Sequence, residues 1–339
     1  MTVCGSQQQL AERMKLARKE AFDYTKAVNI CMDISEQGIE RKRKKEPEKT
    51  ADETRTKRLK LCFIGGDCRQ RYAAQTLAAS YAVCATGDVW HSASHLVKVY
   101  ENPQKALYDA DGIVLPLPVA QAEDVFPFDQ LAEQAKQKKI PMIGGMFSSY
   151  EKDVAAALGV RIFDYFSDES FLLANAVITA EGAVSLAMNV LEETLLFAPC
   201  AVLGFGRIGT ALSRRLSALG SRVTVFARRE EALEKAKLLG YQAERLLGEE
   251  QKQFSASYRV IFNTVPKRIL SPELLLSLPS GTVLIELASR PGGFDSDIAQ
   301  QCDLRVIDGR GLPGKYAPFS AGKALADAIL RIMEREEII

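Results

Sequence analysis

An α/β fold of two doubly wound parallel-sheet domains is predicted for this chain, and three observations carry the expectation. Short apolar segments alternate with helical patterns in two separate series, one from Leu59 and one from Ala198. A glycine-rich turn, Gly204-Phe205-Gly206-Arg207-Ile208-Gly209, stands between a strand pattern and a helix pattern in the second series. The length of 339 residues, with 47% hydrophobic residues, suffices for two domains with cores of their own. Together they divide the chain into an arm over 1–58, a substrate-side α/β domain over 59–175, a Rossmann dinucleotide-binding domain over 176–318, and a closing helix over 319–339. That closing helix is placed to pack back on the first domain.

The arm differs from the rest of the chain. Leu10, Met14, Ala17, Ala21, Tyr24, Val28 and Cys31 recur at spacings of four and three, the pattern of a helical seam. Such a helix either packs on the chain's own body or docks a partner or a second copy, and a homo-oligomer is left open. From Arg41 to Lys60 the chain is charged, nearly free of apolar residues and broken by Pro47, which reads as a solvated linker. With a formal net charge of +1 there is no electrostatic footprint for nucleic acid or an anionic membrane. No stretch is expected to reach the ~18 apolar residues of a membrane span, since Glu181, Glu192 and Glu193 break the most apolar region. Seven scattered cysteines without metal-site spacing read as reduced, buried thiols, and no metal site is expected. These features place the protein in the cytoplasm.

The first series has strands at Leu59–Ile64, Asp111–Leu117 and Ile140–Ile143, with a helix from Arg69 to Ser80. Asp168–Leu195 is helical, with an interruption expected around Ile178–Gly182. The second series has strands at Ala201–Leu203, Arg222–Phe226, Val260–Thr264, Thr282–Leu287 and Arg305–Ile307. Its last helix, Ser320–Glu337, carries Ala324, Leu325, Ala328, Ile329 and Ile332 on one side. Ligands of such folds sit beyond the carboxyl ends of strands.

The glycine-rich turn assigns the cofactor class. Gly204 permits the tight turn, Gly206 lets the backbone approach a pyrophosphate, and Gly209 lets helix and strand pack closely. Helix Ile208–Leu219 then offers free N–H groups to the phosphates. An acidic residue at the end of the second strand would hold the ribose 2′-hydroxyl of NAD; here Ala227-Arg228-Arg229 stands there instead. Two guanidinium forks, with Arg207 in reach, favour the 2′-phosphate of NADP. Asn263, Thr264, Val265 and Pro266, after the next strand, complete the expected cofactor contacts.

Other loops at strand ends are rich in glycine, proline and cations: Ala288-Ser-Arg-Pro-Gly-Gly293 and Gly309-Arg-Gly-Leu-Pro-Gly-Lys315. With Arg69, Asn175, Thr179 and Glu181 they make a basic site suited to a small carboxylate substrate. Ser289, Arg290, Lys315, Arg69 and Thr179 are candidates for binding it. Arg290, Lys315, Glu181 and Asn175 are candidates for catalysis, with Lys315 and Glu181 rivals for the base. The only two histidines, His91 and His95, precede the cofactor turn, which counts against a dehydrogenase that needs an imidazole there.

Five strings together carry a family resemblance. Cys62-Phe-Ile-Gly-Gly-Asp-Cys-Arg69, Asn175-Ala-Val-Ile-Thr-Ala-Glu-Gly182, Val202-Leu-Gly-Phe-Gly-Arg-Ile-Gly209, Leu287-Ala-Ser-Arg-Pro-Gly-Gly293 and Gly311-Leu-Pro-Gly-Lys-Tyr-Ala-Pro318 resemble the A subunits of dipicolinate synthases from spore-forming bacteria. The resemblance runs from about Lys60 to Glu334 and does not cover the arm. It implies an NADP-dependent oxidoreductase with a flavoprotein-like B subunit, acting in the mother cell during sporulation. It would oxidise a dihydropyridine dicarboxylate from the lysine pathway to dipicolinate. A planar dicarboxylate calls for cationic anchors, and aromatisation lets a weak base suffice, so chemistry would rest on positioning. The alternatives are another NADP-dependent oxidoreductase of a small carboxylate and a non-catalytic cofactor-binding subunit.

Overall fold

The computed structural model describes residues 58–92, 94–247, 254 and 257–338; the arm expected before Arg58 lies outside them. Two compact units result. Among the described residues, one comprises 58–182 together with Gly311 onward, the other Ala183–Arg310. The chain thus crosses between units at Gly182–Ala183 and Arg310–Gly311, where the sequence patterns suggest boundaries at 175/176 and 318/319.

The first unit holds six parallel strands: β1 (Lys60–Ile64), β2 (Ala82–Thr86), β3 (Val97–Val99), β4 (Gly112–Val114), β5 (Met142–Gly144) and β6 (Ile162–Asp164), in the order β3-β2-β1-β4-β5-β6. Parallel neighbours require crossovers, and α1 (Cys68–Leu77), α2 (Pro103–Leu107), α3 (Phe128–Lys138) and α4 (Ser149–Leu158) lie in them. Both sheet faces are covered, so β1 is apolar after Lys60: Leu61, Cys62, Phe63 and Ile64 are all at most 1% exposed. The returning helix α11 (Pro318–Arg335) packs on α1 and buries Leu325, Ile329, Ile332 and Met333 against Leu61, Phe63 and Leu77. Gly322 permits that approach, since a Cβ there would fall 2.5 Å from the Tyr72 Cβ and 2.6 Å from the Arg69 carbonyl oxygen. Removing a side chain such as Ile329 from this seam would cost about 2–5 kcal/mol.

The second unit repeats the architecture: β7 (Pro199–Leu203), β8 (Arg222–Ala227), β9 (Gln242–Arg245), β10 (Val260–Asn263), β11 (Val283–Glu286) and β12 (Arg305–Asp308), ordered β12-β11-β10-β7-β8-β9 and parallel throughout. Its helices are α6 (Arg207–Ala218), α7 (Glu230–Leu238), α8 (Pro272–Ser277) and α9 (Ser296–Gln301). The strand order reverses between β7 and β10, which makes their carboxyl ends the switch point where open α/β sheets take ligands. The fold class is therefore the expected one.

The linking helix α5 (Glu169–Val190) departs from expectation twice. No interruption occurs at Ile178–Gly182. The Thr179 hydroxyl donates to the Asn175 carbonyl at 2.7 Å, a local bond the helix accommodates, and Gly182 sits where a Cβ would meet Leu312 at 3.1 Å. Gly182 is thus a packing position, not a break. By length and composition α5 also satisfies the requirements of a membrane span, with a mean hydropathy of 1.6 over its most apolar window. Half of that window is buried by protein, as in a core helix. Among the described cysteines none forms a disulfide; Cys62, Cys84 and Cys200 are buried, and burial pushes the Cys200 thiol up to about 11.

Candidate cofactor site

The glycine-rich turn lies where β7 ends and α6 begins. Gly204 adopts a φ of +94°, which an L side chain resists, and a Cβ there would run into the Thr264 hydroxyl. A Cβ at Gly209 would strike the Gly204 carbonyl, so helix and turn touch backbone to backbone. Gly206 differs from both: it caps α6 without a side-chain hydrogen bond, and a Cβ on it would meet nothing within 4 Å. The start of α6 therefore has no side-chain cap at Gly206, and the space beside the Gly206 Cα is open among the described residues. This arrangement fits a pyrophosphate, whose oxygens would lie against Gly206, Arg207, Ile208 and Gly209.

The equivalent place in the first unit is closed. Asp67 caps α1, accepting from Arg69 N at 2.8 Å, while the Gln70 side chain accepts from Asp67 N at 3.0 Å. Arg69, a candidate substrate anchor, is 7% exposed and forks onto the same carboxylate: Nε to Oδ2 at 2.9 Å and Nη2 to Oδ2 at 2.7 Å, with Nη2 also reaching the Leu117 carbonyl at 3.0 Å. Its guanidinium is engaged in holding the turn. The sole tryptophan, Trp90, is buried and donates to the Gly65 carbonyl at 3.2 Å, fixing the turn from the other side.

Arg228 and Arg229 follow β8, exposed, and neither forms an ion pair among the described residues. Arg207 is exposed in the glycine-rich turn. Thr264 and Val265 pack directly on Gly204, and Pro266 is exposed. Asn263 behaves otherwise than expected of a cofactor contact. It is 0% exposed, with Nδ2 donating to the Val265 carbonyl at 2.9 Å and to Glu286 Oε1 at 2.7 Å, and Oδ1 accepting from Val265 N at 3.0 Å. Its side chain supports the loop from beneath.

Glu286, which sequence reasoning missed, is the other half of that support. The carboxylate, 6% exposed, accepts from Asn263, from Ala288 N at 2.8 Å and from Gly293 N at 2.7 Å. Burial pushes its carboxyl above the ordinary value, against the pull of these donors and of the Arg310 charge. A lone acid inside Val-Leu-Ile-Glu-Leu-Ala was the signal that could have found it. Ser289 and Arg290, on the loop it holds, are exposed.

The remaining candidates belong to the first unit. Thr179 is buried with its hydroxyl turned onto the helix, Asn175 is partly buried with an unbonded Oδ1, and Glu181 and Lys315 are exposed. Without a helix break, Glu181 stands on a continuous helical surface.

Fold and glycine-rich turn together are those of a Rossmann-type α/β chain, and the same architecture recurs in solved dehydrogenases. D-lactate dehydrogenase from Escherichia coli superposes with a TM-score of 0.58 at 14% identity, over 82% of this chain and 97% of that one, a likeness of fold alone. Among curated proteins the chain is similar to the A subunit of dipicolinate synthase from Bacillus subtilis (strain 168), 28% identical over 289 residues, 81% of this chain and 96% of that protein. The crystal structure of the corresponding A subunit from Bacillus halodurans superposes with a TM-score of 0.70 at 25% identity, over 81% of this chain and 97% of that one. The crystal structure of the Bacillus subtilis protein gives 0.68 at 26%, over 83% and 96%. The resemblance read from the sequence motifs is thus borne out. No family model matches the sequence.

Proposed function

We propose that this chain is the NADP-binding A subunit of a dipicolinate synthase, an oxidoreductase that converts a dihydropyridine dicarboxylate to dipicolinate. The observation that carries the reading is the open, uncapped N-terminus of α6 behind Gly206, in a chain similar over most of its length to proteins of that name. A bound nicotinamide would supply the hydride acceptor, the proton lost from the ring would pass to a base of this chain, and aromatisation of the product would favour the reaction. The residues of α6 and its turn hold the pyrophosphate, and Arg228 and Arg229, with Arg207, hold the 2′-phosphate that distinguishes NADP. Thr264, Val265 and Pro266 border the turn.

Arg290 clamps a substrate carboxylate with its planar fork, next to Ser289. Lys315 and Glu181 are proposed for the second anchor and the proton, and Asn175 for a polar contact. Arg69 and Thr179, buried and internally bonded, support the substrate side by holding the turn and helix that carry these groups. The same reading gives the chain a B subunit of flavoprotein-like character, on a branch from the lysine pathway during sporulation, in the mother-cell cytoplasm.

The test is direct. Purified chain, with and without its B subunit, is given NADP and freshly made dihydrodipicolinate, and the nicotinamide and dipicolinate absorbances are followed. Stoichiometric appearance of both supports the proposal. NADP binding without turnover under either condition makes the chain a cofactor-binding subunit, and reduction of NADP only with other carboxylates makes it a different oxidoreductase.

A further inference from the structure

Two loops at the carboxyl end of the second unit's sheet are fastened into one piece. From β10, Asn263 holds Val265 N–H and carbonyl; from β11, Glu286 holds Ala288 N–H and Gly293 N–H; Asn263 and Glu286 hold each other at 2.7 Å. The Gly293 carbonyl closes the ring by accepting from Ile269 N at 2.8 Å and Leu270 N at 3.0 Å. There is no slack: a Cβ at Gly292 would lie 2.8 Å from Glu286 Oε2, and one at Gly293 2.5 Å from the Asn263 amide. Between the anchored Ala288 and Gly293 stands Arg290, exposed and without an ion pair among the described residues. The backbone is fixed on both sides while the guanidinium stays free.

We propose that Glu286 is a positioning residue for Arg290, its buried carboxylate setting the place from which the guanidinium meets a substrate carboxylate. The inference rests on the substrate-clamping role proposed for Arg290. The chemistry requires a carboxylate at 286, because all three of its partners are N–H donors. A carboxylate only accepts, whereas a glutamine turns an NH2 group toward one of them. An ionised group in so dry a place is costly unless its bonds matter. The Arg310 guanidinium, bidentate on Asp308, acts on it only electrostatically. A loop that served only as a connection could be closed by neutral residues.

Glu286→Gln tests this, with Gly293→Ala as a second variant that dislodges the same loop from the Asn263 side while leaving the carboxylate intact. Two readouts are taken on the whole chain: amide hydrogen exchange over Ala288–Gly293, and equilibrium binding of dipicolinate at saturating NADP, with NADPH binding as the reference. Exchange at Ala288 and Gly293 is expected to quicken about tenfold or more, and dipicolinate binding to weaken about tenfold, with NADPH affinity falling by less than that of dipicolinate. In an Arg290→Ala background Glu286→Gln should add no further loss of dipicolinate binding, since its effect passes through Arg290. Unchanged exchange, or a full additional loss in the Arg290→Ala background, overturns the proposal. A wild-type chain that binds NADPH but not dipicolinate overturns the functional reading instead, and exchange still decides whether Glu286 holds the loop.

Discussion

Gly314 rests against the carboxylate of Asp67: a Cβ on it would come within 2.9 Å of Asp67 Oδ2 and 3.2 Å of Arg69 Nε. The two positions belong to motifs at opposite ends of the first unit's sequence, Gly-Gly-Asp-Cys-Arg after β1 and Gly-Leu-Pro-Gly-Lys before α11. Gly314→Ala must push the Asp67–Arg69 fork out of line, and that fork is held by the Leu117 carbonyl. A loss of about 1–3 kcal/mol is expected, the usual effect of overpacking. It is read as a lower midpoint in thermal or urea unfolding. NADPH affinity should not change.

Gly206 and Gly209 separate ligand binding from folding within one turn. Gly206→Ala places its methyl in open space, so the variant should unfold at the wild-type midpoint within a degree or two yet bind NADPH at least about tenfold more weakly. Gly209→Ala drives the same methyl into the Gly204 carbonyl and should fail in stability first. Tight NADPH binding by a folded Gly206→Ala protein would remove this turn from the cofactor site.

Cofactor preference is a matter of two exposed cations. Replacing Arg228 and Arg229 together by Ala should weaken NADP by about 2–4 kcal/mol, the range for two charge-assisted bonds, while leaving NAD nearly untouched. Competition titrations with both nucleotides check it, and equal losses for the two would sink the NADP assignment.

Acid should loosen the seam between the start of α5 and α11. Burial alone would raise the Asp168 carboxyl, but the Arg331 fork, at 2.7 and 3.0 Å, and the Phe171 N–H, at 2.7 Å, outweigh it and hold it below its ordinary value. A depressed carboxyl stabilises the fold fully above the ordinary carboxylate range, and this is lost as pH falls through that range toward the folded-state value. Asp168→Asn should therefore cost about 1–2 kcal/mol at neutral pH, a figure kept low because Arg331 is partly exposed. The gap from wild type should close as the pH is lowered through the carboxylate range, as followed by unfolding midpoints.

How much of this could be read beforehand depends on what a sequence displays. Val260–Asn263 and Val283–Glu286 were legible because central strands of a parallel sheet are apolar on both faces. β3, β6 and β9 were not, being edge strands of three or four residues with polar residues such as Lys98, Asp164 and Glu244, and β2 was missed although it is buried and apolar, its Ala82-Val-Cys-Ala-Thr86 run being too short to tell from a helix segment. The Gly-rich turn announced itself through local chemistry. The Asn263–Glu286 bond could not, since it joins residues 23 positions apart through side chains alone. The engagement of Arg69 was hidden for the opposite reason: its partner, Asp67, is two residues away, and a local fork looks in sequence like an available cation.

The two units share one strand order, yet of the two corresponding helix ends only α1 carries a side-chain cap. Asp67 and Gln70 form a capping box at α1, whereas Gly206 offers no side chain to cap α6. On the proposed function, the duplicated architecture is expected not to duplicate the binding capacity. A calorimetric titration should saturate at a single equivalent of dinucleotide per chain, so each added partner subunit or second copy would bring its own nucleotide rather than share a surplus.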